Sequence, residues 1–179
     1  MPAYVAFLRA INVGGHTVTM ARLREIFEAT ACTSVETFIA SGNVIFHTRS
    51  TNAAATETRL EIALRAALGY EVATFLRTPA EVASIARTDP FDGEESSKEE
   101  PSLFVTMLAS PPTEESRQKL MSKASALDAF AVVGREMYWL RRSRETGFSG
   151  AQLERIFGQK ATARNVKTVR AIAARLFPA

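Results

Sequence analysis

Apolar residues along the chain come in short continuous runs and in stripes spaced by three and four. Tyr4-Val5-Ala6-Phe7-Leu8 leaves no side chain to face water, which predicts a central strand covered on both faces. Leu23, Ile26, Phe27 and Thr30 then share one helical face, and Thr19 is placed to cap its start. Residues 35–40 and 44–47 are β-rich and flank Ser41-Gly42-Asn43, a hairpin signal. Leu60, Ala63, Leu64, Ala67 and Leu68 predict a second helix, 71–76 a fourth strand, and Pro79 opens a short helix through Ile85. The order βαββαβ is the split βαβ pattern of a ferredoxin-like sandwich.

The second half begins the same way. Residues 103–108 read as a buried strand, and Ser110-Pro111-Pro112-Thr113 leads into a helix bearing Leu120, Met121 and Ala124. Residues 130–133 and 137–140 form a hairpin around Gly134-Arg135. The pattern then departs from the first half. Ser149 with Gln152 makes a capping box for a short helix through Phe157, stopped by Gly158. Thr162 is placed to cap a last helix carrying Val166, Val169, Ile172, Ala173 and Leu176, ended by Pro178. The expected class is α+β: two ferredoxin-like (α/β-plait) units in tandem, the second a βαββ unit followed by two C-terminal helices. Their expected bounds are 1–88 and 102–179, joined by an acidic linker at 89–101. The recurring order raises an internal duplication, without sequence similarity to establish it.

Composition narrows the classes. The 179 residues are 46% hydrophobic and 23% charged, as in ordinary globular proteins. No run approaches the roughly 20 apolar residues of a membrane span, and residues 1–9 lack the layout of a secretory leader. A lone Cys32 excludes an internal disulfide and fits a reducing cytoplasm. With two His beside it, no thiolate or imidazole metal site is expected, and no cofactor is called for.

The net charge of +3 hides an uneven distribution. Residues 1–88 carry +1, residues 89–116 carry −7 and residues 117–179 carry +9. The acidic block reads as an exposed connection, or alternatively as an arm covering the basic half.

Four segments offer chemistry. Asn12-Val13-Gly14-Gly15-His16 lies between the first strand and helix, where glycines let backbone N–H groups approach an anion; a simple chain turn is the commoner use. Ser41-Gly42-Asn43 lacks the strand and helix flanks of a nucleophile elbow and reads as a hairpin turn. The first and third strands are expected to be parallel neighbours. That places this turn at the sheet end opposite the Gly-Gly loop, and His47, Thr48 and Arg49 at the same end as the loop, so that one unit alone cannot bring both glycine turns into one pocket. Arg141, Arg142 and Arg144 follow Tyr138 and Trp139, a combination suited to phosphate and stacked bases, although alternation lets at most one aromatic join a platform. A solvated basic loop is the plainer reading. Arg164 is expected in the first turn of the last helix, where its charge opposes the helix dipole and favours a neutralising partner, either a protein carboxylate or a bound anion; Asn165 completes the cap. Cys32 follows a helix and, with no His or basic residue expected nearby, reads as packed rather than as a low-pKa nucleophile. Glu25, Glu28, Glu57 and Glu61 read as solvated helix faces.

The opening residues 4–15, Tyr4-Val5-Ala6-Phe7-Leu8-Arg9-Ala10-Ile11-Asn12-Val13-Gly14-Gly15, resemble the Y-V-A-L-L-R-G-I-N-V-G-G string of domain-of-unknown-function family 1697, a large bacterial family. The resemblance continues through Met20-Ala21-Arg22-Leu23-Arg24, Ser41-Gly42-Asn43-Val44-Ile45-Phe46, Val132-Val133-Gly134-Arg135-Glu136-Met137-Tyr138 and Ala161-Thr162-Ala163-Arg164-Asn165. Ala10 stands where glycine is usual, and Val166-Lys167-Thr168 where Trp-Asn-Thr is frequent. The resemblance implies tandem ferredoxin-like units and brings no established activity.

The leading expectation is a cytoplasmic protein binding an anionic partner, nucleic acid or a phosphorylated small molecule, through Asn12, Gly14, Gly15, His16, Arg141, Arg142, Arg144, Arg164 and Asn165. The alternatives are a small-molecule enzyme with a polar site between the halves, His16 shuttling a proton, and an interaction module pairing through a sheet edge. Neither a membrane nor a particular oligomeric state is implied.

Overall fold

A computed structural model describes residues 1–12, 14–39, 42–94 and 101–178. The fold is α+β, with two four-stranded antiparallel sheets and six helices among the described residues. Two compact units divide the chain, Met1–Val82 and Ala83–Ala179.

In the first unit, β1 (Ala3–Leu8) is followed by α1 (Met20–Glu28), β2 (Thr33–Phe38), β3 (Asn43–His47), α2 (Ala53–Leu68) and β4 (Thr74–Arg77), and α3 (Pro79–Arg87) comes next. The sheet order is β2-β3-β1-β4. Thr19 caps α1 as expected, its hydroxyl accepting from the Arg22 amide at 3.1 Å. Tyr4, Ala6 and Leu8 pack with Leu23, Phe27, Leu60 and Leu64 in one core. Val5 and Phe7, on the other face, are equally buried, so β1 is covered on both sides as its sequence requires.

The second unit repeats the order: β5 (Ser102–Leu108), α4 (Glu114–Met121), β6 (Asp128–Val133), β7 (Glu136–Arg141), α5 (Gly150–Phe157), β8 (Ala161–Asn165) and α6 (Val166–Leu176), with sheet order β6-β7-β5-β8. The register repeats too. Val5 sits opposite Arg77 across β1 and β4, and Val105 sits opposite Arg164 across β5 and β8. Both arginines are buried, and each is followed by one polar residue and then a helix.

Several expectations need correction. The second unit is not βαββ followed by two helices, because residues 161–165 form the fourth strand rather than a helix start. Asn165, not Thr162, caps α6, its Oδ1 accepting from the Lys167 amide at 2.9 Å. The boundary expected at residue 88 falls inside α3, whose second half belongs to the second unit; there Arg170 Nε donates to the Ala86 carbonyl at 3.3 Å. Finally, β1 pairs with β3 antiparallel, Phe7 facing Asn43 and Ala3 facing His47. The hairpin turn at Gly42 therefore shares its sheet end with the Gly-Gly loop, and His47 marks the opposite end.

Glu57 and Glu61 are not simply solvated. They lie one helical turn apart on α2 and accept from the Leu76 and Thr74 amides of edge strand β4, both at 2.8 Å. Glu154 of α5 does the same for Ala161 on β8, at 3.0 Å, and Ala161 holds the register position of Thr74. Edge β6 is closed differently, by a Ser125–Asp128 backbone pair and by Arg117 donating to the Val132 carbonyl at 3.4 Å. The remaining edge, β2, carries a register shift between Thr33 and Glu36, with Ser34 at φ +50°. Each edge thus carries a feature that discourages strand addition, which weighs against the sheet-pairing expectation.

Candidate functional site

The loop from Arg9 to Thr19 leaves β1 beside two other connections. The Leu8 amide donates to the Gly42 carbonyl at 2.8 Å and the Arg9 amide to the Ala73 carbonyl at 2.9 Å. Gly42 lies at φ +76°, and a Cβ there would meet the Cβ atoms of Leu8 and Ile11 at 3.1 Å. Only a residue without a side chain lets the hairpin turn settle onto the loop. Ser41 and Val13 lie outside the described residues.

Within the loop, Ala10 and Asn12 take left-handed backbone at φ +61° and +58°, and Gly14 and Gly15 follow at +61° and +85°. Asn12 Oδ1 accepts from the Val18 amide at 2.7 Å, closing the loop across six residues. Nothing lies within 4 Å of a Cβ built on Gly14 or Gly15, so these glycines serve the left-handed backbone rather than a close approach. Gly14, Gly15 and His16 are exposed, and their amides find no acceptor among the described residues. Exposed amides without an acceptor are able to donate to an anion.

His16 stacks on Tyr70, ring centroids 4.0 Å apart and planes 28° apart. Tyr70 follows Gly69, the left-handed cap that ends α2. Its hydroxyl is buried without a partner among the described residues, and burial pushes its phenol above the usual value. The sequence reading missed Tyr70, since its contact with His16 spans 54 positions.

The basic loop of the second unit is differently placed. Arg141 lies over the Phe104 ring at 4.9 Å and near Trp139 at 5.9 Å. Arg142 holds Glu94 through two nitrogens, Nε at 3.0 Å and Nη2 at 2.9 Å. Glu94 belongs to the acidic block, so this part of it does cover a basic residue; residues 95–100 lie outside the described residues. Arg144 is exposed. Tyr138 and Trp139 are 1% and 9% exposed, and neither offers a platform for bases. Trp139 Nε1 instead donates to Asp128 at 2.7 Å, and Thr146 and Ser125 donate to the same carboxylate.

Arg164 is in β8, not in a helical first turn. Its Nη1 donates to Thr162 Oγ1 and to the Ala163 carbonyl, each at 2.8 Å, and burial lowers its pKa to about 10. The dipole argument for an anion at Arg164 therefore falls. Asn165 is engaged as the α6 cap. Cys32 does have a basic neighbour, Arg59 of α2; burial raises the thiol pKa, while Thr30 and Arg59 oppose that rise. Among the described residues no three His, Cys, Asp or Glu side chains gather as metal ligands, and no helix is long and apolar enough to cross a membrane.

The glycine loop belongs to the first unit and Arg141, Arg142, Arg144, Arg164 and Asn165 to the second. Within the first unit, Asn12, Gly14, Gly15 and His16 gather with Tyr70 and the Gly42 turn at one sheet end.

No curated protein matches the chain. Among solved structures, it is similar to the conserved bacterial protein SP0830 from Streptococcus pneumoniae. The match has a TM-score of 0.75 and 22% identity, and covers 98% of each chain. At that identity the likeness speaks for the fold alone. A family model described as Protein of unknown function (DUF1697) matches residues 1–138, and the chain belongs to that family.

Proposed function

We infer that the protein binds a small anionic molecule at the glycine loop of its first unit. The observation that carries this reading is the asymmetry between the two units. The β1–α1 connection has eleven residues, 9–19, where the matching β5–α4 connection manages with five, 109–113. The two other connections at that sheet end are also longer in the first unit: four residues against two in the hairpin, 39–42 and 134–135, and five against three before the last strand, 69–73 and 158–160. The second unit closes the same topology without this extra chain, so the fold does not demand it, and elaborated loops on a rigid scaffold are where binding resides. The open amides of Gly14, Gly15 and His16 supply the anion preference.

Arg141 and Arg142 contribute less than the sequence suggested, because Phe104, Trp139 and Glu94 already engage them. The backbone amide of His16, rather than its imidazole, serves the anion in this reading, because the imidazole stacks on Tyr70 and makes no hydrogen bond or ion pair among the described residues. The strand orders and the repeated register support the finer reading of each unit as a ferredoxin-like plait.

Titration calorimetry at low salt with inorganic phosphate and sugar phosphates tests the reading. Binding is expected to weaken about tenfold in Gly14→Ala/Gly15→Ala, whose left-handed backbone resists a side chain, and to stay within about twofold in Arg142→Ala/Arg144→Ala. Absence of phosphate binding by the natural protein overturns it.

A further inference from the structure

We propose that the Tyr70 ring is a stacking platform for a planar heteroaromatic group, and that His16 is the ring such a ligand displaces. The inference rests on the anion reading above and names its ligand class, a phosphate ester carrying a heteroaromatic ring.

Three observations converge on it. His16 is exposed and lies flat on Tyr70 at 4.0 Å, and the stack is its sole polar or ring contact among the described residues. A ring held only by stacking is readily exchanged for a larger one with more overlap. Second, the Tyr70 hydroxyl is buried with no partner among the described residues, although a buried phenol normally finds one. A ligand whose nitrogen or oxygen acceptors reach past the edge of the Tyr70 ring can meet it. Third, His16 follows Gly15 directly, so the platform lies one residue from the open amides. A ligand with a phosphate on the loop and a ring a few bonds away therefore spans both features. Ile39 adds apolar surface at this sheet end: it is 52% exposed, and its β-branched side chain sits on backbone at φ +57°.

Adenosine monophosphate, ribose 5-phosphate and inorganic phosphate, compared by calorimetry at low salt, separate the two readings. The proposal expects adenosine monophosphate to bind about tenfold or more tighter than ribose 5-phosphate, the contribution of one stacked base. Tyr70→Leu should abolish that preference and Tyr70→Phe reduce it, the ring remaining while the hydroxyl is lost. If Tyr70→Leu fails to fold, Tyr70→Phe and the exposed His16→Ala decide. His16→Ala should tighten adenosine monophosphate binding severalfold, and a weakening would overturn displacement. Equal affinity for the two esters overturns the platform while leaving the glycine loop intact. No binding of any of the three overturns both.

Discussion

Ala10 sits at φ +61°, where a Cβ crowds the following carbonyl and glycine would meet no such contact. Only the backbone angle reveals that cost. Ala10→Gly is expected to stabilise the protein by about 1 kcal/mol, read as a higher urea midpoint at unchanged slope. An unchanged midpoint would mean that the loop adjusts at no cost. Arg164 teaches the converse. Its sequence neighbours pointed to a helix start, and the misreading had a physical origin: Thr162 and Asn165 are both good caps, and local pattern cannot choose between them. The choice falls to β5, which pairs with residues 161–165 and so puts the helix start at Asn165, the last residue of that ladder.

At the scale of elements, strands β1, β3, β5 and β7 were legible because their apolar runs are buried on both faces. Strand β8 was not. Its inward residues are Thr162 and Arg164, and Ala163 between them is exposed, so the hydrophobic alternation that identifies a strand is missing. The carboxylates on α2 and α5 were equally silent: helical spacing looks the same whether a Glu faces water or a strand edge. Removing the Glu61 side chain, as in Glu61→Ala, should cost about 1–3 kcal/mol because the Thr74 amide loses a charged acceptor. Glu154→Ala should behave alike at Ala161. Glu25→Ala, which removes an exposed pair with Arg22, should stay within about 0.5 kcal/mol. Chemical denaturation of the three variants checks the ranking, and equal effects would remove the edge-capping role.

Across the whole molecule, one topology is used twice with two different purposes at its ends. The first unit lengthens the connections around Gly14 and Tyr70, while the second lengthens the opposite end, where Asp128 gathers Trp139, Ser125 and Thr146. The second unit also holds Tyr138, whose phenol is raised to about 12, mainly by burial, with the Thr88 hydrogen bond opposing the shift and Glu136 adding to it. Because the folded value lies above the usual one near 10, the neutral phenol favours the fold. That stabilisation is complete below about pH 10 and is lost as the pH rises towards 12. In an alkaline absorbance titration a late tyrosine phase should appear towards pH 12, and Tyr138→Phe should remove it. Absence of that phase in the natural protein would exclude the buried phenol.

By itself the sequence determined the α+β class, most element positions, the caps at Thr19 and Ser149, and the glycine loop, because each follows from residues close together along the chain. Tertiary structure alone decided that β1 and β3 run antiparallel, that the Gly42 turn meets the loop, and that Tyr70 lies under His16. It also decided that Glu57, Glu61 and Glu154 cap strand edges. These are pairings between distant residues, selected by which strands and helices bury the most apolar surface together while satisfying their amides, and no local pattern encodes that competition.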